Sequence, residues 1–324
     1  ITTDHSTGVV VTGTSTDKSS LTGTSVSVDA DAKEGISSLL IAASGAQYAA
    51  VSASVNVNRQ LSDVSAAVDQ TEVLGSFAQN ANYLGRITTS AITAAGSQYA
   101  AVPISVVINY ADNAVSSSVA HSILRAEGQS ASVGANRISE FSSLNVTASG
   151  AMYGVAAGLV NVNTIEGATS AEVNDSEVKA GQFSVNAENE DHLKVTDVTA
   201  TGAIGSLGAS VVVSYFKGSS AANLRNSIVT ADKLTVSSLQ DHYVNGTVAF
   251  ASGGIGTIGA NVFSLVIGSG DNPFASNRQD LGSAEDTVNK YLSDYASSGT
   301  GSLGFITEND ELTQEEKDKI VGSA

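Results

Sequence analysis

Two short pairs of residues hold the types that do acid–base chemistry. Asp191-His192 and Asp241-His242 each set a carboxylate beside an imidazole, and the two histidines lie 50 residues apart. An imidazole steered by a carboxylate is a common general base. Both pairs fall at equivalent points of successive, similar stretches of chain, so the pattern predicts a small stacked ladder rather than a catalytic dyad. Catalysis needs groups that converge on one place, and positions that recur along a chain supply no single such place. His5 and His121, the other two histidines, stand apart from both pairs.

Three further patterns bear on ligand chemistry. Gly254-Ile-Gly256-Thr-Ile-Gly259 and Gly299-Thr-Gly301-Ser-Leu-Gly304 satisfy the dinucleotide spacing, and Asp280 follows the first by about twenty residues. That motif works by aiming a helix N-terminus at pyrophosphate. Val262, Phe263, Leu265, Val266 and Ile267 follow the first copy instead, and they read as a strand. Asp29, Asp31 and Glu34, and later Glu308, Asp310 and Glu311, gather carboxylates, but neither group has the spacing of a calcium loop. They read as solvated turns. With no cysteine in the chain, disulfides, thiol catalysis and thiolate metal sites are excluded. No catalytic residue, cofactor or metal is expected, and the chain is not read as an enzyme.

The elements behind these residues announce themselves by repetition. GAQYAAVSASVNVN begins at Gly45 and GSQYAAVPISVVIN at Gly96, 51 residues later, with nine of fourteen positions identical. Related blocks begin at Gly150, Gly202 and Gly253. A second block keeps phase with the first: NDSEVKAGQFSVNA from Asn174 returns as RNSIVTADKLTVSS from Arg225, with earlier echoes from Asp69 and Ala120. Within each unit Val55 and Val57 alternate with Ser54, Asn56 and Asn58, and Phe183 and Val185 alternate with Ser184 and Asn186. Alternation of this kind is the strand signal.

A unit of about fifty residues made of strands of four to six residues, separated by Gly, Asn, Asp and Ser turns, cannot bury its own apolar side. Stacked on like units it can, with each strand pairing to its equivalent about 4.8 Å away. The fold class expected is therefore all-β: a right-handed parallel β-helix, or β-solenoid, with roughly two coils per unit. Asn58, Asn109 and Asn163 recur at one position and are expected to form an amide ladder at a corner. A β-propeller is the structural rival, ranked lower because the Trp-Asp and aromatic signatures of blades are missing.

Composition narrows the function class. The formal charge of −17 and the scarcity of Lys and Arg, 15 in 324 residues, speak against nucleic acid as a partner, because phosphate binding relies on clustered basic side chains. Charged residues are only 15%, so Ser, Thr, Asn and Gly are expected to solvate the exterior. Apolar residues reach 42% while aromatics are 5%, which suits thin, closely stacked sheets. No run of 18 apolar residues proposes a membrane-spanning helix. The repeat reads as running out of both ends, which predicts a longer parent protein in the form of a rod or fibre.

The alternation of NDSEVKAGQFSVNA-type blocks with GASVVVS, GLVNVN and SVNVN blocks resembles the repeat regions of filamentous haemagglutinin-like adhesins. It is most similar to the leukotoxin-type filamentous adhesins of Gram-negative bacteria, over roughly Gly23 to Gly268. The resemblance implies export by an outer-membrane transporter and an extracellular, cell-surface location. It also implies a β-helical shaft that attaches to a host or bacterial cell-surface receptor, with self-association into fibres as a further expectation. The alternatives are a carbohydrate-active β-helix enzyme and a segment of a secreted cytotoxin.

The C-terminal end departs from the repeat. Val288, Tyr291, Leu292 and Tyr295 have helical spacing, and Thr313 with Glu316 forms a capping-box pattern ahead of Ile320 and Val321. The expected organisation is a β-helix repeat region over 1–270, followed by a loop and helical segment over 271–324.

Overall fold

In the computed structural model, residues 1–268 are described. The helical expectation for 271–324, the second glycine pattern and the Glu308 cluster lie outside the described residues. The chain divides into Ile1–Gly270 and Asp271–Ala324, and all the described residues belong to the first unit.

Eleven strands account for nearly all of it: β1 (Thr2–Thr12), β2 (Ser19–Ala46), β3 (Ala49–Asp69), β4 (Thr71–Ser97), β5 (Ala100–Ala120), β6 (Ile123–Gly150), β7 (Gly154–Asn174), β8 (Glu177–Gly202), β9 (Gly205–Arg225), β10 (Ile228–Gly253) and β11 (Gly256–Ile267). Odd-numbered strands form one sheet in the order β1-β3-β5-β7-β9-β11, and even-numbered strands form the other, β10-β8-β6-β4-β2. Every neighbouring pair is parallel. The chain runs along one sheet, turns, returns along the other and turns again, so each repeat climbs by one strand. The described residues form a parallel β-solenoid.

Two expectations need correction. Strands are 21 to 28 residues long from β2 to β10, not four to six. One repeat makes one coil, not two, since Ala49 pairs with Ala100 and Gly154 with Gly205. The reason is the same in both cases. Gly, Ser and Asn mark turns in an isolated chain, but here a like residue from the coil above pairs with each of them, and the ladder carries the strand straight through.

Sequence spacing is 57 from Thr2 to Arg59 and 51 or 52 in most later steps, but 54 from Ala100 to Gly154. The surplus is absorbed at one place on the even sheet, where register slips occur between Thr22/Ser25, Leu74/Phe77 and Ala126/Ser130. Gly75 there has φ +117°, and a Cβ on it would overlap the Gly23 carbonyl oxygen. Bulges of this kind take up extra residues without disturbing the ladder on either side.

The solenoid turns at two edges. At one edge Gln70, His121, Asp175 and Asn226 occupy successive coils with φ between 46° and 50°, a left-handed conformation that Asn and Asp tolerate better than most. The residue after each one builds a hydroxyl ladder. Ser122 Oγ donates to Ala120 O at 2.6 Å and accepts from Thr71 N–H at 3.1 Å. Ser176 Oγ donates to Asn174 O at 2.7 Å and accepts from Ser122 N–H at 3.1 Å, and Ser227 repeats the arrangement with Ser176 N–H at 3.1 Å. The Asn-Asp-Ser and Arg-Asn-Ser blocks of the sequence are this corner. Next to it lies the main apolar core, in which Val64, Val68, Val73, Phe77, Val115, Val119, Leu124, Val133, Val173, Val178, Phe183 and Val185 pack together.

Candidate functional site

The two Asp-His pairs do not stack on each other. The repeat is 51 residues and the histidines are 50 apart, so His242 pairs with Asp191 across the sheet, and Tyr243 pairs with His192. A one-residue offset sends the side chain to the opposite face of a strand. His192 therefore sits outside, ring edge to Tyr243 at a centroid distance of 5.9 Å, while His242 turns inward with Nδ1 3.2 Å from Asp191 Oδ2. The expected ladder is replaced by an interior carboxylate–imidazole pair.

That pair belongs to a clamp centred on Arg137. The guanidinium, wholly buried, donates to Asp191 Oδ1 at 2.8 Å, Asn189 Oδ1 at 2.8 Å and Ser139 Oγ at 3.3 Å, and to the Glu166 backbone carbonyl on the facing sheet at 2.8 Å. Burial lowers the Arg137 pKa and the Asp191 carboxylate opposes that shift; an arginine so paired stays charged. Gly218 faces the clamp, and a Cβ there would run into Asn189 Nδ2 and Arg137 Nη2. The clamp ties the two sheets together. Asp191 and Arg137 have no solvent-accessible side-chain surface, so neither can meet an external substrate.

Asn58, Asn109 and Asn163 make a ladder: Asn58 Nδ2 donates to Asn109 Oδ1 at 3.0 Å, and Asn109 Nδ2 to Asn163 Oδ1 at 2.9 Å. It runs through the middle of β3, β5 and β7 inside the solenoid, not at a corner. Thr89 Oγ1, from the facing sheet, donates to Asn109 Oδ1 at 2.7 Å. Nearby, buried Asp197 accepts from Asn145 Nδ2 at 2.7 Å and Asn161 Nδ2 at 3.2 Å. Burial pushes its carboxyl up to about 7, against the downward pull of those two donors. Asp29 and Asp31 point outward, where Asn80 and Asn82 donate to them at 2.8 and 2.7 Å. Glu34 points inward and accepts from Ser62 Oγ at 3.0 Å. The carboxylate group read as a turn is thus mid-strand and split across two faces. Among the described residues no group of three or more His, Asp or Glu is placed to hold a metal ion.

Gly45, Gly96, Gly150, Gly202 and Gly253 pair in one column at the second edge. Beyond them Tyr48, Tyr99 and Tyr153 stack on the outside, with ring centroids 5.5 and 5.4 Å apart and planes within 14° and 16°. Around this edge the sequence pattern is inverted over parts of several strands, beside a small interior cluster of Ala50, Ala95, Ala101, Val155 and Ala203. In β6, Asn145 and Thr147 are buried while Leu144 is exposed and Val146 and Ala148 are half-buried; in β8, Asp197 and Thr199 are buried while Val198 and Ala200 lie outside. In β3, Ser52, Ser54, Asn56 and Asn58 are buried and Val51, Val55 and Val57 are exposed. Ser54 and Thr93 bond across the interior at 2.5 Å. Residues 35–58, 87–111, 141–165, 198–216 and 243–267 contain no Asp, Glu, Lys or Arg, so this edge is neutral in all five coils.

No known protein family, curated protein or solved structure matches the chain. The geometry alone therefore selects the candidate site. The clamp, the Asn ladder and Asp197 are internal and hold the sheets together. The Tyr edge, with Leu39, Ile41, Ile92 and Leu144 beside it, faces solvent and is the candidate interaction surface. Sequence reasoning selected the glycines of that edge but not the reversal of faces beside them. The signal was present: apolar residues occupy odd numbers from Val51 to Val57 and even numbers from Val64 to Val68.

Proposed function

We propose that the chain is a structural and adhesive segment of a large secreted or surface-displayed bacterial adhesin of the filamentous haemagglutinin-like kind. The observation that carries this reading is the in-register stacking of five like coils, which displays the same outer columns coil after coil. Each coil uses about 51 residues on one strand spacing of roughly 4.8 Å while its strands run roughly 70–90 Å. Such a coil makes little length and much lateral surface, so broad contact with a cell or a neighbouring filament suits it better than service as a thin spacer. The partners in this reading are a cell-surface receptor and an outer-membrane transporter for export.

The test is attachment. Beads coated with the chain are expected to bind host epithelial or bacterial cells saturably, with competition by the soluble chain. Binding no greater than that of albumin-coated beads to either cell type, together with compact rather than elongated particles of the parent protein in negative stain, would overturn the reading.

A further inference from the structure

An apolar exterior is the reverse of what a free-standing sheet needs, and here it lies over an interior in which polar residues share the space with Ala50, Ala95, Ala101, Val155 and Ala203. A parallel sheet with apolar residues on its outer side is normally covered there. On the even sheet the outward columns approaching the Tyr edge are Leu39-Ser90-Leu144-Thr196-Thr247, Ile41-Ile92-Val146-Val198-Ala249 and Ala43-Ala94-Ala148-Ala200-Ala251. In the inner coils Ile92 is 38% exposed, Leu144 44% and Tyr99 43%, and Met152, Tyr153 and Ile204 are exposed as well. From strand and residue spacings, the footprint of this edge, with polar positions such as Ser90, Thr196 and Gln98 included, is roughly 800 Å². That is the size of one partner's share of a standard protein interface, about 800 Å².

The glycine column supplies a second observation. None of Gly45, Gly96, Gly150, Gly202 and Gly253 has a positive φ, and a Cβ on Gly96, Gly150 or Gly253 would meet nothing within 4 Å. Backbone conformation and internal packing therefore do not call for glycine. Its effect is external: with the alanine column beside it, it leaves a groove running along the stacking direction next to the tyrosine ridge.

We propose that this edge docks a second copy of the same chain, tyrosine ridge into glycine–alanine groove, through a two-fold interface. Two features select a copy over other occupants. Ridge and groove share one axial repeat, with Tyr48, Tyr99 and Tyr153 continued by Ile204 and Ile255, so identical solenoids keep step coil by coil, whereas an unrelated partner need not. The chain carries a net charge of −17 with none of its Asp, Glu, Lys or Arg along this edge. Joining neutral edges leaves the charged residues of the described strands, Lys33 and Glu34 in β2 for example, tens of ångströms from their counterparts in the other copy by residue spacing, well beyond the screening length of about 8–10 Å. A lipid bilayer fits less well, because Gln47, Gln98 and the tyrosine hydroxyls stand at the tip that would enter it first. Docking of copies does not depend on the proposed role in attachment.

Sedimentation velocity on the intact chain, with no cells present, tests this. A concentration-dependent dimer is expected, weakened about tenfold or more by Ile92→Lys, which places a charge on the surface without touching the interior. Because the chain has no cysteine, Ala94→Cys is expected to cross-link copy to copy with a flexible bismaleimide that spans the ridge between the two grooves, and Ser118→Cys, on the odd sheet towards the opposite edge, is not. A monomer up to about 100 µM, where even weak specific association shows, would overturn the proposal. So would equal cross-linking by the two cysteine variants, or flotation of a monomeric chain with phosphatidylcholine vesicles. Loss of cell attachment with dimerisation intact would count against the adhesin reading alone.

Discussion

Arg137 and Asp191 meet at 2.8 Å between coils β6 and β8, and neither side chain reaches solvent. A buried pair is costly to form but costlier to break, because removing one partner strands the other's charge, typically at about 3–5 kcal/mol. Arg137→Met is expected to destabilise the solenoid by that order in denaturant titrations. The double variant Arg137→Met/Asp191→Asn should recover a large part of the loss. Equal effects of the single and double variants would show that the clamp is not the source.

Asp197 gives a pH signature. Its carboxyl is raised to about 7 in the folded chain by burial, against about 3.9 in an unfolded one. Between those values the folded state binds the extra proton, so this group's contribution to stability is complete below about pH 4 and is lost as pH rises towards 7. Thermal unfolding of the native chain should therefore decline over that window by an amount worth a few kcal/mol. Asp197→Asn, which cannot titrate, should flatten this part of the profile. A variant with the native pH dependence would exclude Asp197 as its cause.

The corner hydroxyls should be individually costly. Ser176→Ala removes both the donor to Asn174 O and the acceptor for Ser122 N–H, leaving a buried amide unpaired at about 1–3 kcal/mol. Ser176→Thr, which keeps the hydroxyl as Thr71 does in its own coil, is expected to stay near the native stability. Hydrogen exchange at Ser122 N–H reads the same bond locally and should accelerate only in the alanine variant.

For the amide ladder, Asn109→Leu is the informative change. It removes the acceptor of Asn58 Nδ2 and Thr89 Oγ1 and the donor to Asn163 Oδ1. Although the site is inside a solenoid, an apolar side chain there should lower the unfolding midpoint, by about 1–3 kcal/mol in free-energy terms. A stabilised variant would mean that the interior near the Tyr edge tolerates ordinary apolar packing.

Repetition was fully legible in the amino-acid string. The near-constant spacing of Gly45, Gly96, Gly150, Gly202 and Gly253, and that of Asn58, Asn109 and Asn163, implied like units lying one above another, and the alternation in each unit implied strands. These follow from chemistry local to a few residues. Strand length, the number of coils per repeat and the side each residue faces were decided by the assembled solenoid. Alternation tells that two faces differ but not which is inside. In β3 the backbone parity runs unbroken from Ala49 to Asp69, and the packing of Val64, Ala66 and Val68 against the core fixes every even residue inward, Ser52, Ser54, Asn56 and Asn58 included. Those polar groups are then tolerated inside because the coils above, below and across supply hydrogen-bond partners, and the valines between them are left on the surface.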